Sequence, residues 1–145
     1  MSAAQPLEMS DSLQILVADD DPVLRALLQL KLEGEGHHVT LAADGDEALL
    51  LVTSHRPDLL VLDVVMPGID GLDLTRQLRE RPDTKELPIV LLTGRDTDPD
   101  IVAGWQSGAN YYITKPFVIE HLRYFIKTMQ ESAVEADEPW DDTVS

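Results

Sequence analysis

Five short, mostly apolar runs, at residues 13–18, 38–42, 59–63, 89–93 and 111–114, constrain this chain more than any other feature. They are too short for buried helices, and they read as strands covered on both faces, as in a parallel sheet. The segments between them repeat apolar residues at helical spacing. Pro22 suits the first turn of a helix with a core stripe of Leu24, Leu27, Leu28 and Leu32, and Gly34 ends it. Asp44 and Glu47 have capping-box spacing and start a second helix that reaches about His55. A third is expected from Gly71 to about Arg81, with Leu72, Thr75 and Leu78 inward. A fourth runs from about Pro99 to Ser107, stopped by Gly108, and a fifth follows Pro116 and buries Leu122, Phe125, Ile126 and Met129.

Strand and helix alternating five times give a parallel sheet with right-handed crossovers. At this length the common solution is the flavodoxin-like (βα)5 three-layer sandwich with strand order 2-1-3-4-5. The 145 residues fit one domain. Residues 1–12 read as a flexible leader and 13–131 as the folded domain. In residues 132–145, Glu135, Asp137, Glu138, Asp141 and Asp142 bring no basic partner, so this part reads as a solvated acidic tail. Trp140 within it reads as an incidental terminal aromatic rather than an anchor.

Eleven basic against 27 acidic residues give a net charge of −16. That field repels nucleic-acid backbones and attracts divalent cations. No apolar stretch is long enough for a membrane span. The absence of cysteine excludes thiolate metal sites and fits a reducing, cytoplasmic setting. The four histidines lack zinc-site spacing, and His37-His38 reads as a loop-to-strand junction.

A parallel sheet delivers all its strand C-termini to one edge, where ligands bind. Asp19 and Asp20 end the first strand, Asp63 the third, Thr93 the fourth and Lys115 the fifth. Crowded carboxylates call for a cation, and an oxygen-only site suits Mg²⁺, with Mn²⁺ as the alternative. One of Asp19, Asp20 and Asp21 is expected to cap the first helix; three exceed what a cap needs. Asp63 is then a carboxylate nucleophile toward phosphorus. Lys115 supplies a point charge, and also a salt bridge to Asp63, while the Thr93 hydroxyl donates to a phosphoryl oxygen.

The segments Ile15-Leu16-Val17-Ala18-Asp19-Asp20-Asp21-Pro22, Leu60-Val61-Leu62-Asp63-Val64-Val65-Met66-Pro67-Gly68-Ile69-Asp70-Gly71, Leu91-Leu92-Thr93-Gly94 and Gly108-Ala109-Asn110-Tyr111-Tyr112-Ile113-Thr114-Lys115-Pro116-Phe117 together resemble the receiver domain of two-component response regulators, CheY-like in pattern. The resemblance covers about residues 12–131. It implies that Asp63 is the phosphoacceptor, that Asp19 and Asp20 hold Mg²⁺ with the Val65 main-chain carbonyl, that Thr93 is the switch hydroxyl, and that Lys115 is the site lysine. Tyr112 is implied as the aromatic that turns inward with Thr93, and the Lys115–Pro116 bond as cis. The donor would be a phosphohistidine on a sensor histidine kinase or a histidine phosphotransfer protein. The chain would catalyse only its own phosphorylation and dephosphorylation. It would signal to a downstream protein of unknown identity through the fourth helix, fifth strand and fifth helix, where Ile101, Val102, Trp105 and Tyr112 lie. It would be a monomer or a phosphorylation-dependent dimer.

Val65 and Arg95, two positions after Asp63 and Thr93, flank the path of an attacking water. An apolar Val65 cannot orient that water, so slow self-hydrolysis is expected. Tyr111 replaces a residue that is often acidic in the family. His121 and Phe125 stand where winged-helix regulators often carry Glu and Arg, which argues against that dimer mode. Val64-Val65 after Asp63 excludes the D-x-D of aspartate phosphatases. Ile101 and Ser107 break the EF-hand pattern begun by Asp96, Asp98 and Asp100. Gly34-x-Gly36 follows a helix instead of a strand, against a dinucleotide fold. Two readings stay beside the switch: a receiver-fold scaffold independent of phosphorylation, and the N-terminal receiver of a longer regulator.

Overall fold

A computed structural model describes residues 12–94, 106–115 and 119–135. Within residues 1–115 lie strands β1 (Gln14–Ala18), β2 (His38–Ala42), β3 (Leu59–Asp63), β4 (Ile89–Thr93) and β5 (Tyr111–Thr114). Helices α1 (Pro22–Gly34), α2 (Gly45–Ser54) and α3 (Gly71–Arg79) belong to the same unit. All strand pairs are parallel and the order is β2-β1-β3-β4-β5. This is the flavodoxin-like topology expected from the alternation. The sheet is dry where the runs are most apolar, every residue of β3 and β4 being buried. Burying a Leu or Val side chain stabilises the fold by roughly 1.5–3 kcal/mol, so these two strands anchor the core.

Helices α1, α2 and α3 each start on a carboxylate cap. Asp21, Asp44 and Asp70 accept N–H groups of α1, α2 and α3. Asp44 Oδ1 accepts from Glu47 N–H at 2.8 Å, and Glu47 reaches back to Ala43 N–H at 2.9 Å. Three details differ from the sequence expectation. Gly34 is the last residue of α1, but the reversal is made by Gly36 at φ 97°. Gly36 N–H then reaches Glu33 O and His37 N–H reaches Leu32 O, a Schellman closure. Leu27 is 46% exposed rather than part of the core stripe, because Leu28 and Leu32 face the sheet and Leu27 lies beside them on the helix rim. On α3 the buried residues include Leu74 besides Thr75 and Leu78, with Leu72 only partly covered.

The second unit contains α4 (Ile119–Glu135), on which Leu122 and Ile126 are buried and Phe125 and Met129 half-buried. The fourth expected helix lies outside the described residues except for Gln106 and Ser107, which are helical. Arg95, Ile101, Val102, Trp105, the Lys115–Pro116 bond and Trp140 also fall outside them.

Arg79 joins the end of α3 to the turn before β5. Its guanidinium donates to Gly108 O (2.8 Å), Asn110 Oδ1 (2.7 Å) and Thr84 O (3.3 Å). Asn110 Oδ1 also accepts Ile89 N–H at 2.8 Å, so one amide ties β4 to the same clamp. Burial lowers the Arg79 pKa, though a guanidinium stays charged. Replacing Arg79 with Met orphans these acceptors. Arg79→Met is expected to lose about 2 kcal/mol of stability in urea unfolding, whereas the exposed Arg76→Met changes little.

Candidate functional site

The C-terminal ends of β1, β3, β4 and β5 bring the candidate residues to one edge of the sheet. Asp19 follows β1 and is fully buried. Its N–H donates to Ala42 O at 3.1 Å, and its Oδ1 accepts Asp21 N–H at 2.9 Å. Asp21 in turn caps α1, accepting Val23 N–H at 2.9 Å. The cap among the three consecutive acids is therefore Asp21, which leaves Asp19 and Asp20 for other work. Asp20 is exposed.

Asp63 ends β3 and is only 4% exposed. The chain folds back sharply beyond it. Val64 N–H donates to Leu92 O at 2.9 Å, and Gly71 N–H donates to Val64 O at 2.8 Å. A Cβ on Gly71 would stand 2.3 Å from Asp63 O, so only glycine lets α3 start this close to the strand. Asp63 Oδ1 accepts Val65 N–H at 3.4 Å, a long bond. The Val65 side chain is 73% exposed beside the site.

Lys115 follows β5, and its Nζ lies 3.0 Å from Asp19 Oδ2 and 3.2 Å from Asp63 Oδ2. The salt bridge expected with Asp63 is thus shared with Asp19, which the sequence did not reveal. Asp19 Oδ2 is buried with no aligned hydrogen-bond donor, so the ammonium meets it as a point charge. One carboxylate oxygen from each of Asp19, Asp20 and Asp63 falls within 4.8 Å of the others, a spacing one cation can span. Thr93 is buried at the end of β4, next to the strand that carries Asp63, and its carbonyl accepts Lys115 N–H. Tyr112 is half-buried on β5 beside Leu91 and packs against the core on the face that Leu91 shares. Arg25 was not expected here: its guanidinium donates to the Asp19 carbonyl at 2.7 Å. An arginine bonding to a carbonyl leaves no spacing signal in a sequence.

The electrostatics follow from this crowding. Burial first, then the charge of Asp19, raises the Asp63 pKa from 3.8 to about 6, against the pull of Lys115 and the Val65 N–H. Burial opposes the Lys115 charge, but Asp19 and Asp63 outweigh it and raise its pKa.

The family profile of the response regulator receiver domain matches residues 15–127. Response regulator MprA of Mycobacterium ulcerans is 46% identical over 131 residues, which are 90% of this chain and 56% of MprA. The chain spans about half the length of the curated relatives it matches. Among solved structures, the Francisella response regulator 1452 receiver domain is similar at 33% identity and a TM-score of 0.77, covering 83% of this chain and 98% of that one. The receiver domain of sensor histidine kinase PA1611 from Pseudomonas aeruginosa, with a magnesium ion coordinated in its active-site cleft, is 30% identical at the same TM-score and covers 83% and 99% of the two chains. The chain belongs to the response regulator receiver domain family of two-component systems. Among the described residues no helix is long and apolar enough to cross a membrane.

An acid whose pKa is raised by folding costs the fold stability progressively as the pH rises from its ordinary value of 3.8 to the raised one, and above about 6 the whole cost is present, a cost asparagine does not carry. At pH 7.5 in EDTA, Asp63→Asn is expected to be more stable than the wild type by about 1–3 kcal/mol, read from urea unfolding. An equal or lower midpoint contradicts the crowding described here.

Proposed function

We propose that this chain is a phosphoacceptor switch in which Asp63 takes a phosphoryl group from a histidine donor. The supporting observation is the Lys115 ammonium held between Asp63 and Asp19 at the mouth of the sheet. In the reaction, an Asp63 carboxylate oxygen attacks phosphorus, the P–N bond of the phosphoimidazole breaks, and the imidazole nitrogen leaves and takes up a proton. The product is an acyl phosphate on Asp63. Lys115 is the cation nearest that carboxylate and exchanges its hold on Asp63 for a phosphoryl oxygen. Thr93 supplies a hydroxyl at the end of the adjacent strand, and Tyr112 follows it inward as the switch aromatic.

The donor set fits a hard divalent cation. Its atoms are carboxylate oxygens, and Asp19 Oδ2 is buried without an aligned donor. Asp19, Asp20, Asp63 and the Val65 main-chain carbonyl would hold Mg²⁺, or Mn²⁺ in its place. When bound, the ion supplies positive charge against the approaching phosphoryl group.

The donor protein is a sensor histidine kinase or a histidine phosphotransfer protein, and the output is contact with a downstream protein. We read residues 13–131 as the receiver and 132–145 as an acidic tail, in a cytoplasmic protein acting as a monomer or a phosphorylation-dependent dimer. Direct binding of nucleic acid by this part is disfavoured by its charge of −16.

The test is incubation with acetyl phosphate, with and without MgCl2, followed by intact-mass measurement. A gain of one phosphoryl group is expected only with Mg²⁺ and is absent in Asp63→Asn. A wild type that never gains it supports a docking scaffold instead. The exposed apolar Val65 offers no hydrogen bond to an attacking water, so the phosphoryl group is expected to last minutes or longer. Val65→Asn should shorten that lifetime severalfold, and a wild-type half-life of seconds would overturn this expectation.

A further inference from the structure

Asp19 and Asp20 are held very differently. The Asp19 side chain is fixed by the Asp21 N–H and by Lys115. Asp20 is exposed, and among the described residues no hydrogen bond or ion pair of its carboxylate accompanies its place in the acidic cluster. Its position is therefore set by the main chain that carries it. The peptide unit joining Asp19 to Asp20 presents its carbonyl to Arg25 at 2.7 Å. The main chain of Arg25 is placed by the first turn of α1, where its N–H donates to Asp21 O at 3.0 Å. The bonds close a circuit: Asp19 Oδ1 holds the Asp21 N–H, Asp21 starts the helix, and the helix returns Arg25 to the Asp19 carbonyl.

We propose that Arg25 is a positioning residue for the acidic cluster: by fixing the Asp19–Asp20 peptide plane it presents Asp20 to a divalent cation. The inference rests on the cation reading given above. Its sign is distinctive. A guanidinium near a cation site repels the cation, so removing it should tighten binding if charge alone mattered. Removing a support that orients a ligand weakens binding, commonly by tenfold or more.

The experiment is calorimetric titration of the protein with MgCl2, well below its unfolding temperature, with stability measured separately in EDTA. Arg25→Met is expected to bind Mg²⁺ about tenfold more weakly than the wild type, and Arg25→Lys, which keeps a donor and the charge, to fall between them. In an Asp20→Asn background, Arg25→Met should cause little further loss, because the arginine acts through Asp20. Binding that is unchanged or tighter in Arg25→Met overturns the proposal, as does full additivity with Asp20→Asn. A drop in stability with unchanged affinity shows a structural role only and also overturns it. Should Arg25→Met fail to fold, Arg25→Gln replaces it with the same expectation. A wild type that binds no Mg²⁺ fails the cation reading itself, an outcome distinct from wild-type binding that ignores Arg25.

Discussion

One ammonium facing two buried carboxylates is the interaction on which the rest of this structure depends. Lys115 lies within 3.2 Å of both Asp19 and Asp63, and neither acid has enough solvent to be comfortable alone. Removing such charges from water costs several kcal/mol per ion, and a single ammonium does not balance two carboxylates. The arrangement is therefore poor as a stabilising device and sound as a receptor for further charge. Its cost is met elsewhere, by the fully buried strands β3 and β4 that carry the two polar ends Asp63 and Thr93 to the rim.

The backbone carries most of the precision. Asp19 is registered by its own N–H on Ala42, Asp63 by the return of Val64 to Leu92, and Lys115 by its N–H on Thr93. Each of these three residues is thus placed by a main-chain bond between neighbouring strands or loops, and its charged group turns to the shared cluster. The glycine at position 71 belongs to the same economy, since it lets α3 begin against the strand end without displacing Asp63. Asp21 absorbs the capping duty that would otherwise occupy a cluster acid.

Much of the fold was legible because its strands are short, apolar and separated by well-capped helices. The strands at 38–42, 59–63, 89–93 and 111–114 stand where the apolar runs put them, and only the first begins a residue later. Burial on both faces holds for β3 and β4, whereas β2 at the sheet edge leaves His38 and Thr40 exposed. Helix faces were harder: Leu27 has the apolar character of a core residue but stands beside the buried Leu28, and Leu74, four residues before Leu78 on the buried face of α3, carried a spacing signal that the reading did not use. The gathering of strand ends followed from topology alone. What could not be read was the detail of pairing. Lys115 was matched to Asp63 and not to Asp19, because a sequence shows which ends meet but not which atoms face each other. Arg25 and the Arg79 clamp bind carbonyls and an amide, partners that carry no pattern in the chain.

Asp19, Asp63, Thr93 and Lys115 are spread over most of the residues before position 115, and no two come from the same strand. The cluster exists only when β1, β3, β4 and β5 have all found their places, and parallel pairings between such distant segments form late and slowly. A nascent or partly unfolded chain would hold the acids apart and offer no ammonium beside them. The geometry at this edge is thus a report on the completeness of folding, because no smaller piece of the sheet reproduces it.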